Sequence, residues 1–320
     1  MRVFVAGATG VLGKRVVKRL VERGHQVTGL ARNRENEQVL ASMGAEFVRA
    51  DIFDRDAMVR CAAGHDAVLH LATSIPKKNR PFRKDWAMND LLRTKGVENL
   101  IHASLANKTK VYIQESIIHL YGDRNGGEVD EQTRLASEVP FSLRSALTME
   151  RIIRRAMDEQ GLPAIILRFG GFYGPDAHNS RMMIDGVRTG KMPIIGKGNA
   201  VWNLIHLDDA ASAVVLAVER HEGNTGRVFN IVDDRPVTMK ELLYTIAEMT
   251  GSKRPRSVPM WLARLAMGKD AMDFLSISVR ASNRAARETL GWEAQYPTLR
   301  DGLKQILQGT NQNTSLRAAV

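Results

Sequence analysis

A single cysteine, Cys61, stands in a chain of 320 residues, so no internal disulfide can form and a reducing, cytoplasmic setting is expected. No apolar run of about 18 residues occurs, and no membrane span is expected. The opening MRVFVAGATG turns on a glycine too early for the apolar stretch of a signal peptide and reads as a strand. Cysteine and histidine are nowhere spaced as zinc ligands, so no metal is expected. Aromatic residues are scarce at 6%, and they do not interleave with the basic clusters Lys14, Arg15, Lys18, Arg19 and Arg23 or Lys77, Lys78, Arg80, Arg83 and Lys84. A single-strand nucleic-acid binder needs that interleaving. The net charge of +11 is therefore read as a dispersed basic surface, with nucleic acid an unlikely partner.

What is present is an ordinary balance for a globular protein, 44% hydrophobic and 25% charged, and enough chain for one large α/β domain or two smaller ones. Val3, Val5 and Ala6 form a short buried strand pattern that ends in Gly7-Ala8-Thr9-Gly10-Val11-Leu12-Gly13. A helix follows, with Leu12, Val16, Val17, Leu20 and Val21 on one face and Gly24 as its stop. HQVTGLARN then completes a βαβ unit of the length a dinucleotide fold requires. Glycines in such a turn let the backbone approach a pyrophosphate, and the amides that open the helix supply donors. The end of the second strand reads Leu30-Ala31-Arg32-Asn33-Arg34, with no carboxylate to hold the ribose hydroxyls of NAD. A guanidinium at Arg32 suits the 2′-phosphate of NADP, so NADPH is expected over NADH; otherwise Arg32 merely begins a solvated helix.

Strand patterns recur at AEFVRAD, ending at Asp51, at Asp66–Thr73, at Lys110–Ser116 and around Ile165–Leu167, with helical patterns between them. This alternation predicts a Rossmann-type, doubly wound parallel sheet whose ligand crevice lies at the C-terminal strand ends. A smaller C-terminal substrate-binding lobe is expected from 175–200 and 233–308, with 1–174 forming the dinucleotide-binding domain and 201–232 returning to it. Helices are expected near 179–190, 208–220, 238–250 and 298–308, and Asp208 and Asp209 are expected to cap the helix of 208–220. Residues 309–320 are polar and expected to fray.

Seven segments in order, GATGVLG, ADIFD, DAVLHLAT, LRFGGFYGP, NLIHLDDAASAVVLA, GRVFNIVDD and LGW, resemble the extended short-chain dehydrogenases/reductases, in the branch similar to NAD-dependent epimerases and dehydratases. By that resemblance Gly7, Thr9, Gly10, Val11, Leu12 and Gly13 surround the pyrophosphate. Asp51 and Ile52 flank the adenine, and Leu71, Ala72 and Thr73 line the nicotinamide-side ribose and pyrophosphate. The family also implies a Ser/Thr at a strand end and a Tyr-x-x-x-Lys pair. Tyrosine moves the proton, while lysine lowers its pKa and grips the nicotinamide ribose. The family helix carries a glutamate four residues after the lysine. With Glu150 in that place, Ala146 stands at the lysine position and Ser142 at the tyrosine position, and no tyrosine occurs between Tyr121 and Tyr173. The chain resembles an atypical member.

The remaining candidates for chemistry are Glu115, Ser116, His119, Tyr121 and Tyr173. Ser116 is expected to face the nicotinamide, and the two tyrosines serve either packing or proton transfer. His119 either exchanges protons near neutrality or is simply solvated in a loop. His70 and His206 are expected to be core histidines. Trp202 stands where nucleotide-sugar enzymes of the family carry an arginine, and Gly171 where they carry an asparagine. This implies a non-nucleotide substrate, apolar or aromatic, touched by Ser116, Ser142, Gly171 and Trp202. The alternative is that Trp202 fills a core and Lys197 takes the diphosphate.

Three functions remain open. They are an NADP-dependent oxidoreductase on a small carbonyl, imine or enone, a non-redox lyase, cyclase or isomerase that retains NADP, and an NADP-sensing regulator. A homodimer through helices near 86–106 and 141–158 is expected.

Overall fold

The computed structural model describes residues 1–78 and 80–317, with side chains as far as residue 308. Strands and helices alternate from the start: β1 (Arg2–Ala6), α1 (Val11–Glu22), β2 (Gln26–Ala31), α2 (Arg34–Ser42), β3 (Glu46–Arg49), α3 (Arg55–Ala62) and β4 (Ala67–His70). There follow α4 (Ala87–Leu91), a π-helical turn (Leu92–Gly96), α5 (Val97–Ala106), β5 (Val111–Ile117), α6 (Phe141–Gln160) and β6 (Ala164–Phe169). After α7 (His178–Arg188) and α8 (Leu207–Glu219), β7 (Val228–Ile231) completes one sheet. Its order is β7-β6-β5-β4-β1-β2-β3, parallel throughout. The chain reverses direction across the sheet between β1 and β4, which opens a crevice at their C-terminal ends.

Alternation along each strand builds two apolar layers. On one face Val3, Val5, Ile113, Leu167 and Phe229 pack with Val16 and Leu20 of α1, Val214 and Val218 of α8, and Trp292. On the other, Phe4, Val68, Tyr112 and Ile166 pack with Met58 of α3, Leu100 of α5 and Met149 and Ile153 of α6. Each such side chain contributes on the order of 1.5–3 kcal/mol by leaving water. A third cluster joins Ile184 and Val187 of α7 to Leu242, Leu243 and Ile246 of α9 (Met239–Met249) and Leu303 of the last helix. Between α9 and that last helix come α10 (Met260–Met267), α11 (Lys269–Leu275) and α12 (Arg284–Leu290).

That last helix, α13 (Leu299–Arg317), carries helical backbone through most of the segment expected to fray, while 318–320 lie outside the described residues. The expected capping role of Asp208 and Asp209 needs correction. His206 caps α8, its ring accepting from the Asp208 amide. Asp208 instead receives Arg15 Nε of α1 at 2.8 Å, and Asp209 accepts from the Gln295 and Tyr296 amides at 2.8 and 2.9 Å. Both carboxylates lie in the first turn, where the helix dipole favours them, but they serve as ties to other elements.

One buried network holds α6 to the sheet. Arg168 of β6 and Glu150 of α6 are essentially without exposure and form a bidentate pair, Nε to Oε1 at 2.9 Å and Nη2 to Oε2 at 2.6 Å. Arg168 Nη1 also donates to the Tyr121 oxygen at 2.8 Å, and the Tyr121 hydroxyl donates to Asn230 Oδ1 of β7 at 2.9 Å. Removing one partner strands a buried charge. Arg168→Met is therefore expected to cost about 3–5 kcal/mol in urea unfolding, and adding Glu150→Leu to it is expected to recover part of that loss.

Candidate active site

The crevice is shaped by glycine. Gly7 has φ +88°, and a Cβ there would lie 2.5 Å from the Ala72 amide nitrogen, so only glycine lets this turn pass the strand end. At Gly13 a Cβ would run into the Gly7 carbonyl oxygen, which fixes how closely α1 approaches the turn. Gly10 caps α1 without a side-chain hydrogen bond, and the first turn holds no acid. The leading amides of α1, at Val11 and Leu12, are thus open to an anion. Opposite Gly7, the segment Leu71-Ala72-Thr73 is pinned at both ends. The Leu71 amide donates to Ala6 O at 2.8 Å, and the Ser74 amide donates to Asn89 Oδ1 at 3.0 Å. Asp51 Oδ1 accepts from the Phe53 amide at 2.9 Å, and buried Ile52 has its carbonyl held by Asn99 Nδ2 at 2.9 Å. Arg32 is exposed at the end of β2 and makes no hydrogen bond or ion pair among the described residues, while Asn33 caps α2. These surroundings fit a nicotinamide dinucleotide: a backbone cradle for a pyrophosphate, and a free guanidinium at the adenosine end.

The residues expected to perform chemistry are placed differently from one another. Ser116 is buried and its hydroxyl donates to Glu150 Oε1 at 2.6 Å, which turns it into the network under α6. Burial raises the Tyr121 phenol above its usual range, and Arg168 and Asn230 occupy its oxygen. Tyr173 donates to Asp233 Oδ2 at 2.9 Å, and burial together with Asp233 raises its pKa further still. His119 is not a solvated loop histidine but is buried. It stacks on Phe274 of α11 with ring centroids 4.7 Å apart, and burial lowers its pKa to about 4. His70 and His206 lie in the core as expected.

Around the start of α6 several polar atoms lack partners. Among the described residues, Ser142 Oγ and Ser145 Oγ are buried and unbonded, and so is His119 Nδ1. The Ser142 amide points to Asp270 Oδ1 of α11 at 3.4 Å. From Phe141 to Gln160 the helix carries neither tyrosine nor lysine. At Glu115, near the end of β5, burial pushes the carboxyl up to about 7, against the opposing pull of the Arg93 guanidinium.

Beyond α6 a cleft of about 430 Å³ opens among Ile195, Lys197, Met239, Met260, Met272 and Leu275, with Asp123 at one side. Lys197 supplies the cation in a largely thioether and aliphatic wall. Trp202 is half-buried beside it, its indole Nε1 donating to Leu275 O at 3.1 Å, so it anchors α11 as well as shaping the lobe. Gly171 pairs in register with Leu204, where a Cβ would lie 3.3 Å from Leu204 Cδ2. Sequence reasoning missed α10 and α11 and the buried Arg93. The π turn that carries Arg93 has no residue signature that periodicity could detect.

The Glu115 shift has a definite sign. Its folded pKa is raised from 4.5 to about 7, so the folded state binds the proton more tightly and loses stability as pH rises through that window. Glu115→Gln is expected to match the parent near the lower limit and to exceed it by up to about 3 kcal/mol well above neutrality, measured by urea unfolding at both ends of the range.

Comparison with known proteins agrees with the crevice. The NAD dependent epimerase/dehydratase family matches residues 3–232. A 3-diazoavenalumate denitrifying reductase of a Streptomyces species is 32% identical over 315 residues, covering 95% of this chain and 99% of that one. A 2-alkyl-3-oxoalkanoate reductase of Shewanella oneidensis is 29% identical over 265 residues, 78% of this chain and 66% of that one. Among solved structures, a human epimerase family protein with NADPH superposes with a TM-score of 0.81 at 21% identity, covering 96% of this chain and 99% of that one, which speaks for the fold. With the glycine cradle, the parallel sheet and the matched segments in agreement, this chain belongs to the NAD dependent epimerase/dehydratase family of extended short-chain dehydrogenases/reductases.

Proposed function

We propose that this protein is an NADP-dependent reductase of an apolar or aromatic carboxylate that bears a carbonyl, imine, enone or comparably electron-poor group. The observation that carries the coenzyme choice is Arg32, exposed and unpaired where an acid would be needed to select NAD. Asn33 is committed to capping α2, and among the described residues no acidic side chain is bonded to the guanidinium. When bound, the dinucleotide supplies hydride from its nicotinamide.

The chain's own residues set which acceptors suit it. With Ser142 and Ala146 in α6, no phenol or ammonium stands ready there to protonate a developing oxyanion. A serine hydroxyl orients an oxygen but is too weak an acid to replace a phenol. Acceptors that take hydride without a strong partner acid are favoured, and the diazo function in the name of the Streptomyces relative belongs to that class. The methionine-walled cleft suits an apolar body, and Lys197 suits a carboxylate at its end. Both reductases named above act, by their names, on carboxylates. Asp123 faces the same cleft and disfavours the second negative charge that a nucleoside diphosphate would bring.

Calorimetric titration with NADPH and NADH in parallel tests the coenzyme. NADPH is expected to bind more tightly, and Arg32→Asp is expected to weaken it by about tenfold to a hundredfold while changing NADH little. Equal binding of the two would remove the NADP assignment. For the substrate, loss of nicotinamide absorbance is followed with aromatic and alkyl oxo-acids against their methyl esters. Lys197→Gln is expected to raise KM for the acids by roughly tenfold with kcat nearly unchanged, and to leave the esters unaffected.

A further inference from the structure

Besides the group at the start of α6, unpartnered buried polar atoms occur around α4 and the end of β4. Trp86 Nε1, Asn89 Nδ2 and Asp90 Oδ1, all around α4, and His70 Nε2 at the end of β4 lack any hydrogen-bond partner among the described residues. Native interiors leave few such atoms, so a cluster of them calls for a further partner. Arg93 adds to it. Only 6% exposed, its guanidinium makes no hydrogen bond or ion pair among the described residues, although Glu115 and Asp90 face it electrostatically.

The backbone explains how the arginine gets there. Arg93 lies in the π turn Leu92–Gly96 between α4 and α5, and a π turn inserts an extra residue and rotates the side chains that precede it. At Gly96 a Cβ would come within 3.4 Å of Ile52 Cδ1 and 3.6 Å of His70 Nε2, so this turn passes close over the end of β4. In a dinucleotide fold whose strand order reverses between β1 and β4, the adenosine half lies on the β1-β2-β3 side. The nicotinamide half then crosses to the ends of β4 and β5, where the Arg93 and Glu115 charges act on each other.

The charge balance selects the ligand. A guanidinium flanked by two carboxyl groups carries little net positive charge, so a phosphate or carboxylate gains little there. A vicinal diol gains more, since its hydroxyls donate to carboxylate oxygens and accept from the guanidinium. We propose that Arg93 and Glu115 hold the ribose hydroxyls of the nicotinamide half of the dinucleotide, in place of the lysine that α6 lacks. The proposal rests on the coenzyme reading given above.

Binding of whole coenzymes and of their adenosine fragments separates the two. The wild-type protein, Arg93→Gln, Arg93→Lys and Glu115→Ala are titrated with NADPH and adenosine 2′,5′-bisphosphate, and with NADH and AMP, because the fragments end before the second ribose. The expected result is that Arg93→Gln and Glu115→Ala each weaken the whole coenzyme by about tenfold or more and leave its fragment within about twofold, with partial recovery in Arg93→Lys. Unchanged coenzyme binding in both Arg93→Gln and Glu115→Ala overturns the proposal while the coenzyme reading stands. Equal weakening of coenzyme and fragment in both also overturns it, since the residues then act through the fold. If the wild-type protein binds neither NADPH nor NADH, the coenzyme reading falls and this assignment falls with it.

Discussion

The buried ion pair between Glu150 and Arg168 is the constraint on which the rest of the arrangement depends. Two ions out of water are tolerated only when every remaining lone pair and proton is used, and here Ser116, Tyr121 and Asn230 use them. The consequence is geometric. β5, β6, β7 and α6 are fixed to one another at the C-terminal edge of the sheet, where a ligand crevice needs rigid walls. It also has a chemical consequence, because the serine and tyrosine that complete the network are no longer free to exchange protons with a substrate.

A second constraint is steric. Gly7 and Gly13 admit no side chain, and the space they leave belongs to the backbone cradle at the start of α1. On either side of that cradle lie two cations of different character. Arg32 is exposed and unpaired at the adenosine end, whereas Arg93 is buried and faced by Glu115 and Asp90 at the other. An exposed guanidinium can close on a phosphate from solvent with little desolvation to overcome. A buried one beside carboxyl groups suits neutral hydroxyls. In the proposed coenzyme reading the same residue type would serve different recognition at the two ends of one crevice, and the environment makes the difference.

The lobe supplies the third part. α11 reaches back from the methionine-walled cleft to stack Phe274 on His119 and to place Asp270 near the start of α6. The cleft and the strand ends are therefore mechanically joined through one short helix. Trp202 secures that helix by its indole hydrogen bond to Leu275, one of the residues that line the cleft.

Local chemistry was sufficient for much of this in the sequence. The glycine turn, the apolar face of α1, the Gly24 stop and the regular alternation of strand and helix each depend on residues near in the chain, and they specified the parallel sheet and its crevice. The absence of tyrosine and lysine from α6 and the absence of an acid from Arg32-Asn33-Arg34, directly after β2, were equally plain. Tertiary structure alone decided which polar groups are consumed and which are left over. Ser116 belongs to Glu150, His119 lies buried under Phe274, and Asp208 and Asp209 tie α8 to α1 and to the loop at Gln295 and Tyr296 rather than capping it, because their partners come from segments far away in sequence. Arg93 illustrates the limit most clearly. Its neighbours in the chain give a helix, and only the π turn packed against β4 brings its charge to the ends of β4 and β5.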